Sequence, residues 1–230
     1  DKNSVILSNI NSNLMDKNSS LQILDTFIDN NNFYISGFIE IIDKDEKSCK
    51  KLKLYHAKLN FKKIEFQEIY YNNQCGRGVM QGGRIQKYTL NNSEGLLFTS
   101  SENDTDKPNQ YPQDDLSDFG KIIFLNLITK ETLIFSKGHR NPQGLFVEGE
   151  TIISTEHGPK GGDEINKIII DKNYGWPLAS YGTYYHTDEK KYFKSHSKHG
   201  FKEPVFTYIP AIGISEIAKI PNKFMKEVDL

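Results

Sequence analysis

Residues 138–144 read Gly-His-Arg-Asn-Pro-Gln-Gly, and residues 154–177 read STEHGPKGGDEINKIIIDKNYGWP. Arg140 supplies a planar guanidinium fork that pairs two-pronged with carboxylate or quinone-like oxygens. Asn141 and Gln143 add amide donors and acceptors, and Pro142 fixes φ between them. Between His157 and Glu164, glycines and a proline force a tight backbone path that can turn carbonyls inward. Backbone carbonyls and carboxylates are hard oxygen ligands suited to Ca²⁺, and Asp163 and Glu164 lie beside them. Tyr174 and Trp176 place an aromatic slab next to that loop. Polar forks, a hard-cation site and an aromatic wall together suit a small anionic or polyoxygenated ligand. Each piece also has a purely structural use: Arg140 can pair with Asp163 or Glu164 to lock two loops, Trp176 can be core, and the Gly-Pro run can be a tight corner. On the residues alone both uses stay open.

These groups need a rigid frame. The chain has 230 residues, 37% hydrophobic and 26% charged, the balance of a globular protein with a sizeable core. A net charge of -1 argues against broad attraction to nucleic acid or anionic membrane. No run approaches the roughly 20 apolar residues of a membrane span. The opening DKNSVILSN carries no leader pattern and no initiator Met, and the chain ends on FMKEVDL; a segment of a longer protein is the expectation. Cys49 and Cys75 can close a loop of about 26 residues in an oxidising compartment, worth about 3 kcal/mol on the loop-entropy account, or stand as two thiols.

Helix periodicity is scarce and β-rich runs are many. Strands are predicted at 33–42, 51–59, 63–71, 83–90, 95–101, 121–127, 131–138, 144–156 and 164–171. Turn residues separate them at Asn91-Asn92, Thr129-Lys130, Glu148-Gly149 and Gly161-Gly162. This spacing predicts an all-β sandwich, barrel or propeller. A pattern of strand, hairpin, strand and long polar loop appears twice, with long loops near 103–118 and 157–163. That favours a propeller, whose loops at one channel mouth carry function, and places residues 1–230 in part of a single propeller domain.

GHRNPQGL (138–145), then TEHGPKGGDEIN (155–166), then NYGWP (173–177), resembles the central signature of the soluble glucose/sorbosone dehydrogenase family, the PQQ-dependent aldose dehydrogenases. Weaker likenesses extend it: PQDD and GKIIFLN within 112–126, the strand pair in 23–37, and PVFTYIPAIGISEIAKIPNKF at 204–224. The resemblance implies a six-bladed β-propeller, of which this chain is a part, with PQQ across one channel mouth assisted by calcium. It implies oxidation of a sugar or other alcohol, outside the cytoplasm, in the periplasm or extracellular space. By position, Arg140 and Asn141 would contact PQQ and the reacting oxygens, with Gln143 beside them and His157 as a polar neighbour of the cofactor. The backbone carbonyls of Gly158 and Pro159 would ligate calcium, and Asp163 and Glu164 would shape that loop.

Two departures bear on activity. The family's catalytic base is a His just before a GGR motif; here the chain reads GRGVMQGGR, which puts Met80 in that place. A thioether is no base near pH 7. His56 falls on a predicted outer strand, and His186, His196 and His199 fall in a polar stretch read as solvated loop. The Gln of the family's upstream strand is also absent from KNSSLQIL (17–24). The Lys and two Arg that clamp PQQ carboxylates in the family follow the stretch matched at 204–224, so the segment given is expected to lack part of a PQQ site. The alternative to an enzyme is an inactive propeller that binds a carbohydrate, a metal or a protein partner.

Overall fold

A computed structural model describes residues 11–12, 14, 21–60, 63–72, 74–78, 82–102, 111–185 and 192–221. It is all-β, as the sequence predicts. The first strands are β1 (Asn11–Ser12), β2 (Leu21–Asp29), β3 (Asn32–Ile42), β4 (Ser48–Lys58), β5 (Lys63–Ile64) and β6 (Gln67–Tyr71). Of these, β2-β3-β4-β6 form an antiparallel sheet, sheet one, while β1 and β5 pair parallel as a short clip. Then come β7 (Gly82–Leu90), β8 (Ser93–Ser100), β9 (Lys121–Asn126) and β10 (Thr132–Lys137), an antiparallel meander called sheet two. The third set is β11 (Pro142–Glu148), β12 (Thr151–Glu156) and β13 (Asp163–Lys167); β14 (Lys172–Asn173) joins the outer edge of sheet two, and β15 (Phe206–Tyr208) completes sheet three. Each sheet is a blade whose first strand lies innermost, and β2, β7 and β11 lie side by side, the arrangement of a β-propeller.

The blades stack because β8 and β9 are apolar on both faces. Leu96, Phe98, Ile123 and Leu125 point to sheet one and pack with Tyr34, Phe38, Leu52, Leu54 and Tyr70. Their neighbours Leu97, Ile122 and Phe124 point the other way, onto Leu145, Ile152 and Tyr174. A sheet covered on both sides has no polar face, which is why KIIFL reads as a run rather than an alternation. Arg84 rivets the inner strands: its Nε donates to the Gln143 carbonyl at 2.5 Å, and Nη1 lies 3.6 Å from Asp25 and 3.1 Å from Glu216. Asp25 Oδ2 also accepts the Ile85 amide at 2.8 Å. Gly83 enters this crossing at φ +75°, where a Cβ would lie 2.7 Å from Leu24 Cδ1; the crowding at the channel wall leaves room only for hydrogen.

The predicted turns hold. Asn91 and Asn92 both have positive φ, 49° and 62°, the signature of a two-residue type I′ hairpin. Two predicted strands end differently. The run 63–71 breaks into β5 and β6, with buried Phe66 between them packed against Phe33. The run 164–171 stops at Lys167 because the Tyr174 hydroxyl takes over the ladder: it accepts the Ile169 amide at 3.0 Å and donates to the Lys167 carbonyl at 2.5 Å. Cys49 and Cys75 form the disulfide, their Cα atoms 5.5 Å apart, tying β4 to the segment after β6.

Candidate functional site

The site grows from the start of β11 and the end of β12. Gly138 takes φ +76° so that NYGWP can lie against it; a Cβ there would sit 2.6 Å from the Gly175 amide. The Tyr174 amide donates to the Lys137 carbonyl at 2.8 Å and the Trp176 amide to the Gly138 carbonyl at 2.9 Å. These bonds bring the aromatic slab beneath Arg140.

His139 is fully buried, stacked on Tyr174 at 4.7 Å. Its Nδ1 lies 3.0 Å from Glu156 Oε2 and its Nε2 2.8 Å from Ser136 Oγ. An ionised carboxylate only accepts, so Nδ1 carries the proton and Nε2 accepts from the serine hydroxyl. The other Glu156 oxygen accepts the backbone amide of Arg140. Ser136, His139 and Glu156 thus fix the backbone from which Arg140 springs.

The Arg140 guanidinium lies over the Trp176 ring, 5.2 Å from its centroid. Nη1 donates to the carbonyls of Gly158 at 2.7 Å and His157 at 3.2 Å. Nε is buried without a hydrogen-bond acceptor among the described residues; Glu102 Oε1 stands 3.7 Å away. The other Glu102 oxygen accepts Trp176 Nε1 at 2.6 Å. The sequence-level alternative of an Arg140 pair with Asp163 or Glu164 is not what forms: the carboxylate facing Arg140 is Glu102.

Asn141 Oδ1 accepts both Ser101 Oγ at 2.9 Å and Gln143 Nε2 at 2.8 Å, and the Asn141 carbonyl accepts the His157 amide at 3.1 Å. Arg140, Asn141, Gln143, His157 and Gly158 are therefore brought together, with buried Pro159 behind them against Gly182. Met80 lies outside the described residues, as do Gln81 and His186. Asp163 shapes the loop by accepting four backbone amides: Gly158 on Oδ1 at 3.0 Å, and Ile212, Gly213 and Ile214 on Oδ2 at 3.1, 2.8 and 3.0 Å.

Arg140, Glu156, Glu164, Gly158 and Trp176 line a narrow cavity in which a water's centre has about 10 Å³ to move, room for one molecule. Burial, and then the nearby Glu156 charge, pushes the Glu164 carboxyl well above the usual carboxylate range. His196 corrects the expectation of a solvated loop: it is 1% exposed, stacked on Tyr181 at 5.3 Å, with Nε2 3.6 Å from Glu164 Oε1. Burial pushes its imidazole below the usual value. His199 is exposed, as expected, and His56 sits on β4 with Nε2 3.0 Å from Asn32 Oδ1, far from Arg140 in the fold. Glu102, Glu156 and Ser136 were not singled out by sequence reasoning. The only trace of Glu156 was its place just before His157; Glu102 carries no local signal, being 74 residues from its indole partner.

Comparison with known proteins agrees with this geometry. The chain is 33% identical over 150 residues to the aldose sugar dehydrogenase YliI of Escherichia coli, covering 60% of this chain and 39% of that protein. It is 43% identical over 75 residues to quinoprotein glucose dehydrogenase B of Acinetobacter calcoaceticus, covering 27% of this chain and 16% of that one. Among solved structures, the apo form of the soluble aldose sugar dehydrogenase of E. coli superposes with a TM-score of 0.65 at 25% identity, over 81% of this chain and 56% of that one. The matched region is less than two thirds of each relative's length. With the Arg140–Trp176 wall in place and the model for glucose/sorbosone dehydrogenases matched over residues 19–229, the chain belongs to the glucose/sorbosone dehydrogenase family.

Proposed function

We propose that the protein containing this chain oxidises a sugar or another small alcohol with PQQ and calcium, outside the cytoplasm. The observation that carries the reading is Arg140: a guanidinium over the Trp176 ring, with a buried Nε donor that no described residue satisfies. Such a donor beside an aromatic face fits a planar, oxygen-rich anion. Arg140 and Asn141 would hold PQQ, with Gln143 and His157 at its edge. Calcium would rest on the carbonyls of Gly158 and Pro159; the Gly158 carbonyl meanwhile accepts Arg140 Nη1, so the guanidinium and the ion would share that oxygen's two lone pairs. When bound, PQQ supplies the two-electron acceptor for hydride and calcium a Lewis acid beside it. The secreted setting agrees with the Cys49–Cys75 bridge.

The chain's own residues divide the remaining work. Glu156, held by His139, fixes the Arg140 backbone. Glu102 holds the indole, and the indole face packs against the guanidinium. An alcohol must lose its hydroxyl proton as hydride leaves, and Met80 stands where the family's base is expected. Loss of a general base removes roughly 10²–10⁴-fold of rate. Met80 therefore favours a second reading, in which the same pocket binds its ligand without turnover.

Calorimetric titration of PQQ into the full-length protein with Ca²⁺ tests the first reading. Tight, Ca²⁺-dependent binding that Arg140→Ala abolishes, with the fold kept, is the expected result. Absence of binding by folded wild-type protein, or unchanged affinity in the variant, overturns the assignment.

A further inference from the structure

Lys121 opens β9 and is fully buried. Its Nζ donates to three backbone carbonyls: Tyr111 at 2.6 Å, Phe119 at 2.8 Å and Pro112 at 3.2 Å. Two of these belong to the turn Tyr111–Gln113. That turn touches both segments of the Arg140–Trp176 wall, at Gly138 and at Asn173 and Trp176. The Pro112 carbonyl also accepts the Gly138 amide at 3.0 Å, two residues before Arg140. Gln113 Nε2 donates to the Trp176 carbonyl at 2.6 Å and to Asn173 Oδ1 at 3.2 Å, and Gln113 Oε1 accepts Asn173 Nδ2 at 2.7 Å. We propose that Lys121 is a positioning residue for the site: its buried ammonium holds the Tyr111–Gln113 turn as a wedge that sets the Arg140–Trp176 wall, so that the proton on Nζ is felt at the indole. The ligand arm of its test rests on the quinoprotein reading; the spectroscopic arm does not.

Chemistry supports the assignment. An ammonium has three donors and meets three acceptors; a neutral amine has two and must release one carbonyl. Burial lowers Lys121 to about 8. The groups acting on it are Asp114, Asp115 and Asp118, which raise it, and Lys137, which lowers it and is itself paired with Asp115 at 2.6 Å. His139, whose amide donates to the Gly120 carbonyl, is spent on Ser136 and Glu156. The folded chain releases this proton before the unfolded chain does. Charging Lys121 therefore costs stability below about pH 8, and the cost disappears as pH climbs to the unfolded value of about 10.5. A buried charge kept at a cost to stability is explained by what it positions.

Trp176 is the one tryptophan of these 230 residues, and the emission lost on Trp176→Phe reads the wall without any ligand. Of the tyrosines around it, burial holds Tyr174 and Tyr192 above their usual value, and a bond to Glu203 holds Tyr181 at about 12. Fluorescence of the full-length protein, less that of its Trp176→Phe counterpart, is followed from pH 6.5 to 9.5 in wild type, Lys121→Arg and Lys121→Met. The expected result is a single transition in wild type with its midpoint within about one unit of 8, absent in Lys121→Arg, whose charge persists throughout. Lys121→Met is expected to weaken PQQ affinity about tenfold, with most of it restored in Lys121→Arg. A flat wild-type curve, or a transition that survives in Lys121→Arg, overturns the proposal. Should Lys121→Met not fold, the other two curves decide alone. If wild type binds no PQQ, the quinoprotein reading falls while the fluorescence still decides the role of Lys121.

Discussion

Asp163→Ala removes one carboxylate and leaves four backbone amides without their acceptor. The side chain is 2% exposed, and its bonds tie Gly158 to Ile212, Gly213 and Ile214, which lie about fifty residues further along the chain. A hydrogen bond to a charged group contributes roughly 1.5–3 kcal/mol net, and an orphaned buried amide costs about 1–3 kcal/mol. These donors are partly buried, so water recovers some of the loss, and about 1 kcal/mol each is a fair figure, or about 4 kcal/mol in all. For a domain of this size that lowers Tm by about 8–16 °C. Asp163→Asn is expected to lose about half as much, because its single oxygen serves one side of the bridge while its NH₂ faces donors on the other. Thermal unfolding measures the total. Trypsin cleavage at Lys219, a residue held to Glu148 at 2.5 Å, reports whether the 212–214 segment lets go first. A Tm drop below about 3 °C in Asp163→Ala, with cleavage unchanged, would refute the view that this carboxylate holds the two loops together.

If any turnover is found, Met80→His should raise it by about 10²-fold or more in kcat; an unchanged rate removes position 80 from the chemistry. Cys49→Ser with Cys75→Ser should lower Tm by about 6–12 °C, from a loop-closure contribution of about 3 kcal/mol. The same pair should leave Trp176 emission unmoved, since the bridge belongs to sheet one.

The all-β architecture was legible because turn chemistry at Asn91-Asn92 and Gly149 punctuates the apolar runs, and local φ preferences need no tertiary context. The cluster at 138–177 was legible because its members are close in sequence and chemically unusual. What escaped were partners chosen by folding. Glu102 reaches Trp176 from another strand end. Lys121 reads as the ordinary polar start of a strand, and its burial depends on a loop folding over it. His196 sits in a polar sequence, and only the stacking of Tyr181 and the approach of Glu164 take it out of water. Short-range pattern predicts which segments are strands; it says little about which polar groups the packed sheets will enclose.

The middle sheet has a consequence for how this sequence can vary. Every residue of Leu96–Phe98 and Ile122–Leu125 answers to a neighbour on one side or the other. A volume change at Phe98 is felt in the first blade, and one at Leu97 in the blade that carries Arg140. These two stretches have no water-facing side on which single substitutions can drift harmlessly, so divergence in them should proceed by compensating pairs across a seam. Replacements at Leu97, Ile122 or Phe124 reach the wall through Tyr174, which makes the plainest hydrophobic letters of the chain a route to altering its most polar site.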